Sequence, residues 1–568
     1  MESTSDFCIR RHTSNAFYHH TLLFHVYVMP QLNIPPFLVI LSVIFLHFTH
    51  LFISICSSTL SHLKRPKIPS LLGIDLPQLH HGLDNNHFTC VQLVTAYLER
   101  IAEVNDTFHA IIDVNEDALQ IAQRLDKERK ISGRTGPLHG VPFLLKDNIV
   151  TLSPTSLHST SGSHILLNSF PDSESSIVTS LRAAGAIILG KTNMAEWCGF
   201  RSTSGCSGWS GRGGQTCGPY CERQKGSGSS TGSAVGTALG LGFAGIGTET
   251  VWSITSPAER SGVVGLKPTR GLLSSKGIIP SSLRHDTVGL LTRKVEDAAL
   301  MLADLMTVPL PSEPTPSPSP SPSLSSPSKA TSSTSFPVPP TPSPPLTRIQ
   351  ELQLRRAISA SSSSSSSTTK RLSLSNLRIG ILSLPNYPSP PLSAPRVSTS
   401  STILAHLRTQ NATLIPSIPI PTPPDSTIVL HTDLKTSTES YLSTLIQNPS
   451  HLTTLTDIIS LTHSHPHESY PARNTAILEA AATTSPTDPA YLDLRVQESL
   501  FAGQKGIPGL CQEWNVDVLL AWELSPQMQQ LARMAGSPVV SVPVGFYPKE
   551  TEVVEDRNGL IDVGPGLP

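Results

Sequence analysis

Residues 226–234 read Gly-Ser-Gly-Ser-Ser-Thr-Gly-Ser-Ala, and the chain carries no charged side chain from there to Gly247. A flexible linker could begin the same way. It would not run on into Val235, Leu239, Leu241, Phe243 and Ile246 between small residues, a pattern that reads as a tightly packed helix and then a strand. A Gly/Ser loop resting on such a packed pair marks a place where backbone and side chains come close. Two further segments have this character. GPLHGVPFLLKDN, at 136–148, reads as a buried apolar strand over 141–145 that delivers Lys146 at its end. GTETVWSITSPA, at 247–258, places Ser253 in a turn. Taken singly, Lys146 would be an ordinary surface lysine and Ser253 a turn serine. Together with Ser229 they suggest an activated hydroxyl.

The frames and their order resemble the amidase signature family, the Ser–Ser–Lys hydrolases of carboxylic amides. The resemblance runs from about Ile68 to the end of the chain. It takes in TCVQLVTAYLERIAEVN (89–105), an amphipathic helix with Thr89 as its N-cap. It continues through LRAAGAIILGKTNMAEW (181–197), SGVVGLKPTRGLLSSKGIIP (261–280) and RHDTVGLLTRKVEDAALML (284–302). NLRIGIL (376–382) and AGSPVVSVPVGFYP (535–548) complete it, and GWSGRGGQ (208–215) and GTET look most like fungal members. The implied fold is α/β: one large mixed, mainly parallel-stranded sheet surrounded by helices.

By this resemblance Ser253 is the nucleophile, and Ser229, which follows a cis peptide bond in the family, bridges it to Lys146. Lys146 must be neutral to accept a proton. Its reference pKa is about 10.4, so burial has to disfavour the ammonium. The backbone amides of Thr250, Val251, Trp252 and Ser253 would hold the oxyanion. No cofactor and no metal are implied. The chain departs from the family at three places. Val251 and Trp252 stand where glycines are common, so Val251 would be strained if φ > 0 is needed; otherwise the loop keeps ordinary dihedrals and Trp252 narrows the acyl pocket. Thr255 replaces a frequent arginine and Thr231 a frequent glycine. Trp197, Trp209 and Trp252 near the site suggest an apolar or aromatic acyl group. Two other readings stay open: an amidotransferase-type subunit for tRNA-linked glutamate, and a non-catalytic or truncated relative.

A Ser-His-Asp hydrolase is the chemical rival, with His139 or His285 as base and Asp286 beside it. No G-x-S-x-G elbow supports it. His139 reads instead as packing in the turn before the lysine strand, and Asp286 as holding a loop. Cys198, Cys206, Cys217 and Cys221 cluster, but no histidine pair with zinc spacing follows, so free thiols or one disulfide are expected.

A formal net charge of −1 leaves no footprint for nucleic acid, and no phosphate-binding loop is present. The 50 prolines are unevenly placed, and a Pro/Ser/Thr tract at 309–345 with the serine run at 361–367 marks 309–373 as a disordered insertion. It divides an amidase domain into 68–308 and 374–568. Residues 1–36 read as a leader. Residues 37–55 lack formal charge and suit a signal or a membrane anchor. An anchor would place the enzyme on the cytoplasmic side, since Lys64, Arg65 and Lys67 follow it; a cleaved signal would export it. Otherwise the chain is cytoplasmic. Family members continue past Phe546 with another strand and helix, so the chain reads as truncated, with low stability or activity expected. The natural amide and the oligomeric state are not encoded in any motif.

Overall fold

The computed structural model describes residues 68–152, 157–204, 207–307, 374–383, 394–522 and 525–568, with the backbone alone for 307 and 394–398. The leader, the apolar segment 37–55 and the insertion 309–373 expected from the sequence lie outside the described residues. Among the described residues, no helix is long and apolar enough to cross a membrane.

Helix α1 (Cys90–Phe108) starts where its signal lies. Gln92 N donates to the Thr89 hydroxyl at 3.1 Å, and Thr89 N donates back to Gln92 Oε1 at 2.9 Å, a capping box. Leu93, Val94, Tyr97 and Ile101 share its buried face, and the chain leaves it at His109 in the left-handed region.

Ten strands carry the architecture: β1 (Ile111–Val114), β2 (Pro142–Lys146), β3 (Ile187–Thr192), β4 (Ala244–Glu249), β5 (Val264–Lys267), β6 (Thr287–Thr292), β7 (Arg378–Ser383), β8 (Thr413–Pro419), β9 (Val518–Leu520) and β10 (Val539–Ser541). Seven form one sheet in the order β1-β3-β2-β4-β6-β5-β10, and a second sheet pairs β8-β7-β9 in parallel. The large sheet is mixed, as expected, but it is not mainly parallel. Only β2 runs parallel to its neighbours β3 and β4; β1–β3, β4–β6, β5–β6 and β5–β10 are antiparallel. Parallel neighbours need a crossover, which the helix Ser176–Ala183 supplies between β2 and β3. The antiparallel pair β5–β6 needs no crossover helix and is joined by the segment between Lys267 and Thr287.

β2 and β4 are buried along their whole length at the centre of this sheet. Helix α2 (Thr231–Ala238) lies against them, and glycine is what lets it. A Cβ on Gly236 of α2 would stand 2.8 Å from Leu144 Cδ1 in β2, and one on Gly247 of β4 would stand 2.8 Å from Ser230 Oγ. The expected helix-then-strand is thus present, pressed close enough to bring the Gly/Ser loop onto the end of β4. Helix α3 (Thr255–Arg260) follows β4 directly.

Later helices dock on this frame through buried charge. Asp433 in α4 (Thr427–Leu442) accepts from Arg284 Nη2 at 2.7 Å. Glu498 in α5 (Pro489–Ala502) accepts at 2.7 Å from Arg533 Nη2 in α6 (Pro526–Ala535). These bonds carry α4 to one wall of the site.

Candidate active site

β2 ends on Lys146, and the Gly/Ser loop leads into α2, the helix packed on β4, so the two elements meet at one point. Lys146 Nζ lies 2.6 Å from Ser229 Oγ, 2.9 Å from Thr248 Oγ1 and 3.0 Å from Thr248 O. The lysine is fully buried, and that burial pushes its pKa down; Cys198, Asp286 and Glu249 pull weakly the other way. Asn148 Nδ2 donates to Thr248 Oγ1 at 3.1 Å and fixes that hydroxyl. The Gly228–Ser229 peptide is cis.

Ser253 sits on the turn between β4 and α3. Ser230 N donates to Ser253 O at 2.9 Å, which ties the two serine frames together. The Ser253 hydroxyl donates to Val251 O at 3.4 Å. Glu249 shapes the turn from below: its Oε2 accepts from Ile254 N at 2.7 Å, Thr255 N at 2.9 Å and the Thr255 hydroxyl at 3.0 Å. The carboxylate stands at the N-terminus of α3, where negative charge is favoured. Thr250 Oγ1 donates to Asp286 Oδ1 at 2.5 Å, and Ser281 and Ser282 amides bind the other oxygen. Between these anchors, the amides of Thr250, Val251, Trp252 and Ser253 donate to no acceptor among the described residues.

The departures from glycine resolve in an unexpected way. Val251 is not the strained residue. Trp252 takes the left-handed conformation, with φ 52°, and Trp197 and Cys198 do so nearby. A bulky residue there costs about 1–2 kcal/mol. Strain of this kind persists where the surroundings over-determine it, and it clusters at functional sites. Thr231 is accommodated because glycine faces it: its methyl fills the space that a Cβ on Gly208 or Gly226 would need, and its hydroxyl donates to Ser227 O. Thr255 is absorbed into the Glu249 cap, and its oxygen also accepts from Gln529 Nε2 at 3.3 Å.

Ser229 and Ser253 open into one cleft of about 400 Å³. Trp209 and Trp252 line it, with Trp252 41% exposed; Trp197 is buried in the core behind and does not. One wall is built on a buried charge cluster that spacing could not reveal. Arg201 Nη1 lies 2.7 Å from Glu196 Oε1 and 2.8 Å from Glu468 Oε2, and Nη2 donates to Arg473 O at 2.9 Å. Ser163 Oγ and His164 N also donate to Glu468. Burial, then the neighbouring Glu468, hold the Glu196 carboxyl well above the usual range.

The histidines stand elsewhere. His139 is buried in the turn before β2, with Nδ1 2.7 Å from Thr135 Oγ1 and Nε2 3.0 Å from Leu125 O. His285 packs against Arg270 and Glu498, and burial lowers its pKa to about 4. Neither ring bonds to Ser229 or Ser253. Cys198 lines the cleft, and Cys217 and Cys221 are free thiols; Cys206 lies outside the described residues. Among the described residues, no group of histidine, cysteine or acidic side chains could hold a metal ion.

The family model described as Amidase matches residues 92–335. The chain is 32% identical over 544 residues to the Arthroderma benhamiae protein named "Putative amidase", covering 88% of this chain and 82% of that one. It resembles the solved peptide amidase of Stenotrophomonas maltophilia, with a TM-score of 0.66 and 30% identity across 84% of this chain and 91% of that one. Its likeness to a glutamyl-tRNA(Gln) amidotransferase subunit of Thermosynechococcus vestitus is partial: 36% identity over 228 residues, 40% of this chain and 46% of that protein. With its sheet order, its paired serine frames and a near full-length relative agreeing, this chain belongs to the amidase family.

Proposed function

We propose that Ser253 is the nucleophile of this amidase, that Ser229 and Lys146 relay its proton, and that the substrate is a linear carboxylic amide rather than a peptide bond within a chain. One observation carries the assignment: a fully buried lysine amine 2.6 Å from a serine that shares its cleft with a second serine. The surroundings of Lys146 match a neutral amine. Its two N–H bonds have acceptors in Thr248 O and Thr248 Oγ1, and its lone pair then faces the Ser229 hydroxyl. An ammonium would bring a third proton into a site without a bonded carboxylate, which burial opposes.

In this reading Ser253 turns its hydroxyl from Val251 O toward Ser229. Its oxygen attacks the amide carbon as its proton passes to Ser229 and the Ser229 proton passes to Lys146. The free amides of 250–253 receive the oxyanion. The proton returns through Ser229 to the leaving nitrogen, and the C–N bond breaks. Water then attacks the acyl-enzyme along the same relay, releasing the acid. The partner implied is a small-molecule amide.

A fluorophosphonate probe, followed by peptide mass mapping, tests the assignment. Labelling should fall on Ser253, and Ser253→Ala should lose both the label and anilide turnover. Labelling at another serine, or turnover that survives the substitution, refutes it.

A further inference from the structure

The described walls of the cleft hold three arginines, Arg201, Arg473 and Arg557, against one carboxyl, Glu196. Arg201 is held in the buried cluster by Glu196 at 2.7 Å and by Glu468 at 2.8 Å. Arg473 and Arg557 bring their guanidiniums to the wall outside that cluster.

The other two guanidiniums converge on one turn. Arg473 Nη1 donates to Ser204 O at 3.0 Å, and Arg557 Nη2 donates to Thr203 O at 2.6 Å. Arg473 also lies over the Trp209 ring, 5.2 Å from its centroid. Arg557 is exposed, and no carboxylate lies within ion-pair distance of it among the described residues. Its guanidinium has five N–H donors in a fixed fork, more than the Thr203 carbonyl uses. The neighbouring imidazole, His431, is kept toward its neutral form by burial, with Asp425 opposing. Such a fork binds a carboxylate through two parallel charge-assisted bonds.

We propose that Arg473 and Arg557 bind a carboxylate on the substrate, so that the natural amide is anionic. The rest of the cleft suits the body of such a molecule, since Phe200, Trp209, Trp252, Leu430 and Ile477 supply apolar walls. This inference rests on the assignment of the cleft as the amide site, and it names the substrate class for it.

Three amides of similar size test it with the full chain: butyranilide, which is neutral; glutaranilic acid, with its carboxylate on the acyl side; and 4-butyramidobenzoate, with it on the amine side. Binding is read by calorimetry on Ser253→Ala, and kcat/KM on the unaltered protein. One of the two acids should bind about tenfold more tightly than the neutral amide, a preference that fades at high salt because Arg557 is exposed. Arg557→Gln should weaken that acid about tenfold more than it weakens butyranilide, and Arg557→Lys should recover part of the loss. The favoured acid shows which side of the amide faces the arginines. Equal or weaker binding of both acids, or an equal loss on all three ligands in Arg557→Gln, overturns the proposal. Calorimetry needs no turnover. Preferential binding of an acid without catalysis would therefore fault the nucleophile assignment alone, and turnover without acid preference would fault the arginine pair alone.

Discussion

Replacing Arg201 by methionine keeps most of the side-chain volume and removes the cation that Glu196 and Glu468 share. All three side chains are buried. Breaking a buried ion pair from one side costs about 3–5 kcal/mol, mostly the desolvation of the charge left behind. Two features place this case at the lower end. Glu468 keeps the Ser163 hydroxyl at 2.8 Å and the His164 amide at 2.7 Å, so its charge is not stranded. Glu196 already lies well above the usual carboxyl range, so it takes up a proton readily. A loss of about 3 kcal/mol at pH 7.5 follows. The sign with pH is fixed by linkage. Without the guanidinium, the Glu196 carboxyl, already held up by burial, is pushed further up, so the folded variant binds more protons than the unaltered fold. The deficit is then full above the folded Glu196 pKa of the variant and shrinks as pH falls through it. Urea unfolding at pH 7.5 and pH 5.5, read by tryptophan fluorescence, measures both parts. A loss under about 1 kcal/mol, or a deficit that grows on acidification, would refute the account of this cluster.

Four shorter predictions concern the site. Lys146→Met should abolish turnover while leaving the fold intact, checked by anilide hydrolysis beside circular dichroism. The unaltered enzyme should gain activity with rising pH along one basic limb, because the proposed relay requires a neutral Lys146; burial lowers its pKa, so the midpoint should fall below that of an ordinary lysine. A profile flat through the alkaline range would count against the lysine. Glu249→Gln keeps the shape but weakens the acceptor of two amides and a hydroxyl, and should cut kcat at least tenfold, with KM moving less, by loosening the Ser253 turn. Trp252→Gly should relieve the left-handed backbone by about 1 kcal/mol and widen the cleft. The thermal midpoint and the ratio of kcat/KM for bulky over small anilides should both rise.

How far the sequence reached can be traced through particular residues. Thr89 with Gln92, the apolar run into Lys146 and the uncharged small-residue run after Ser233 fixed a capped helix, a buried strand and a packed helix–strand pair. Each of these depends on near neighbours: a side chain three residues from the amide it caps, or the period of apolar positions along one element. The candidate serines and lysine were found the same way, through frames that can be read in line. The order of the strands was a different matter, because antiparallel neighbours such as β4 and β6 meet only when the connections between them are placed. Which residue before Ser253 bears the left-handed dihedral was also undecided in the sequence. Glu249 and Asp286 anchor that turn on both sides, and their grip puts the twist at Trp252. Arg201 joins Glu196, a near neighbour, to Glu468, which is 267 residues away. Arg557 reaches the Thr203 carbonyl across 354 residues. No local pattern marks such pairs, since their energy comes from burial and from approach in space. Local chemistry thus named the candidate groups, and tertiary packing decided what surrounds them.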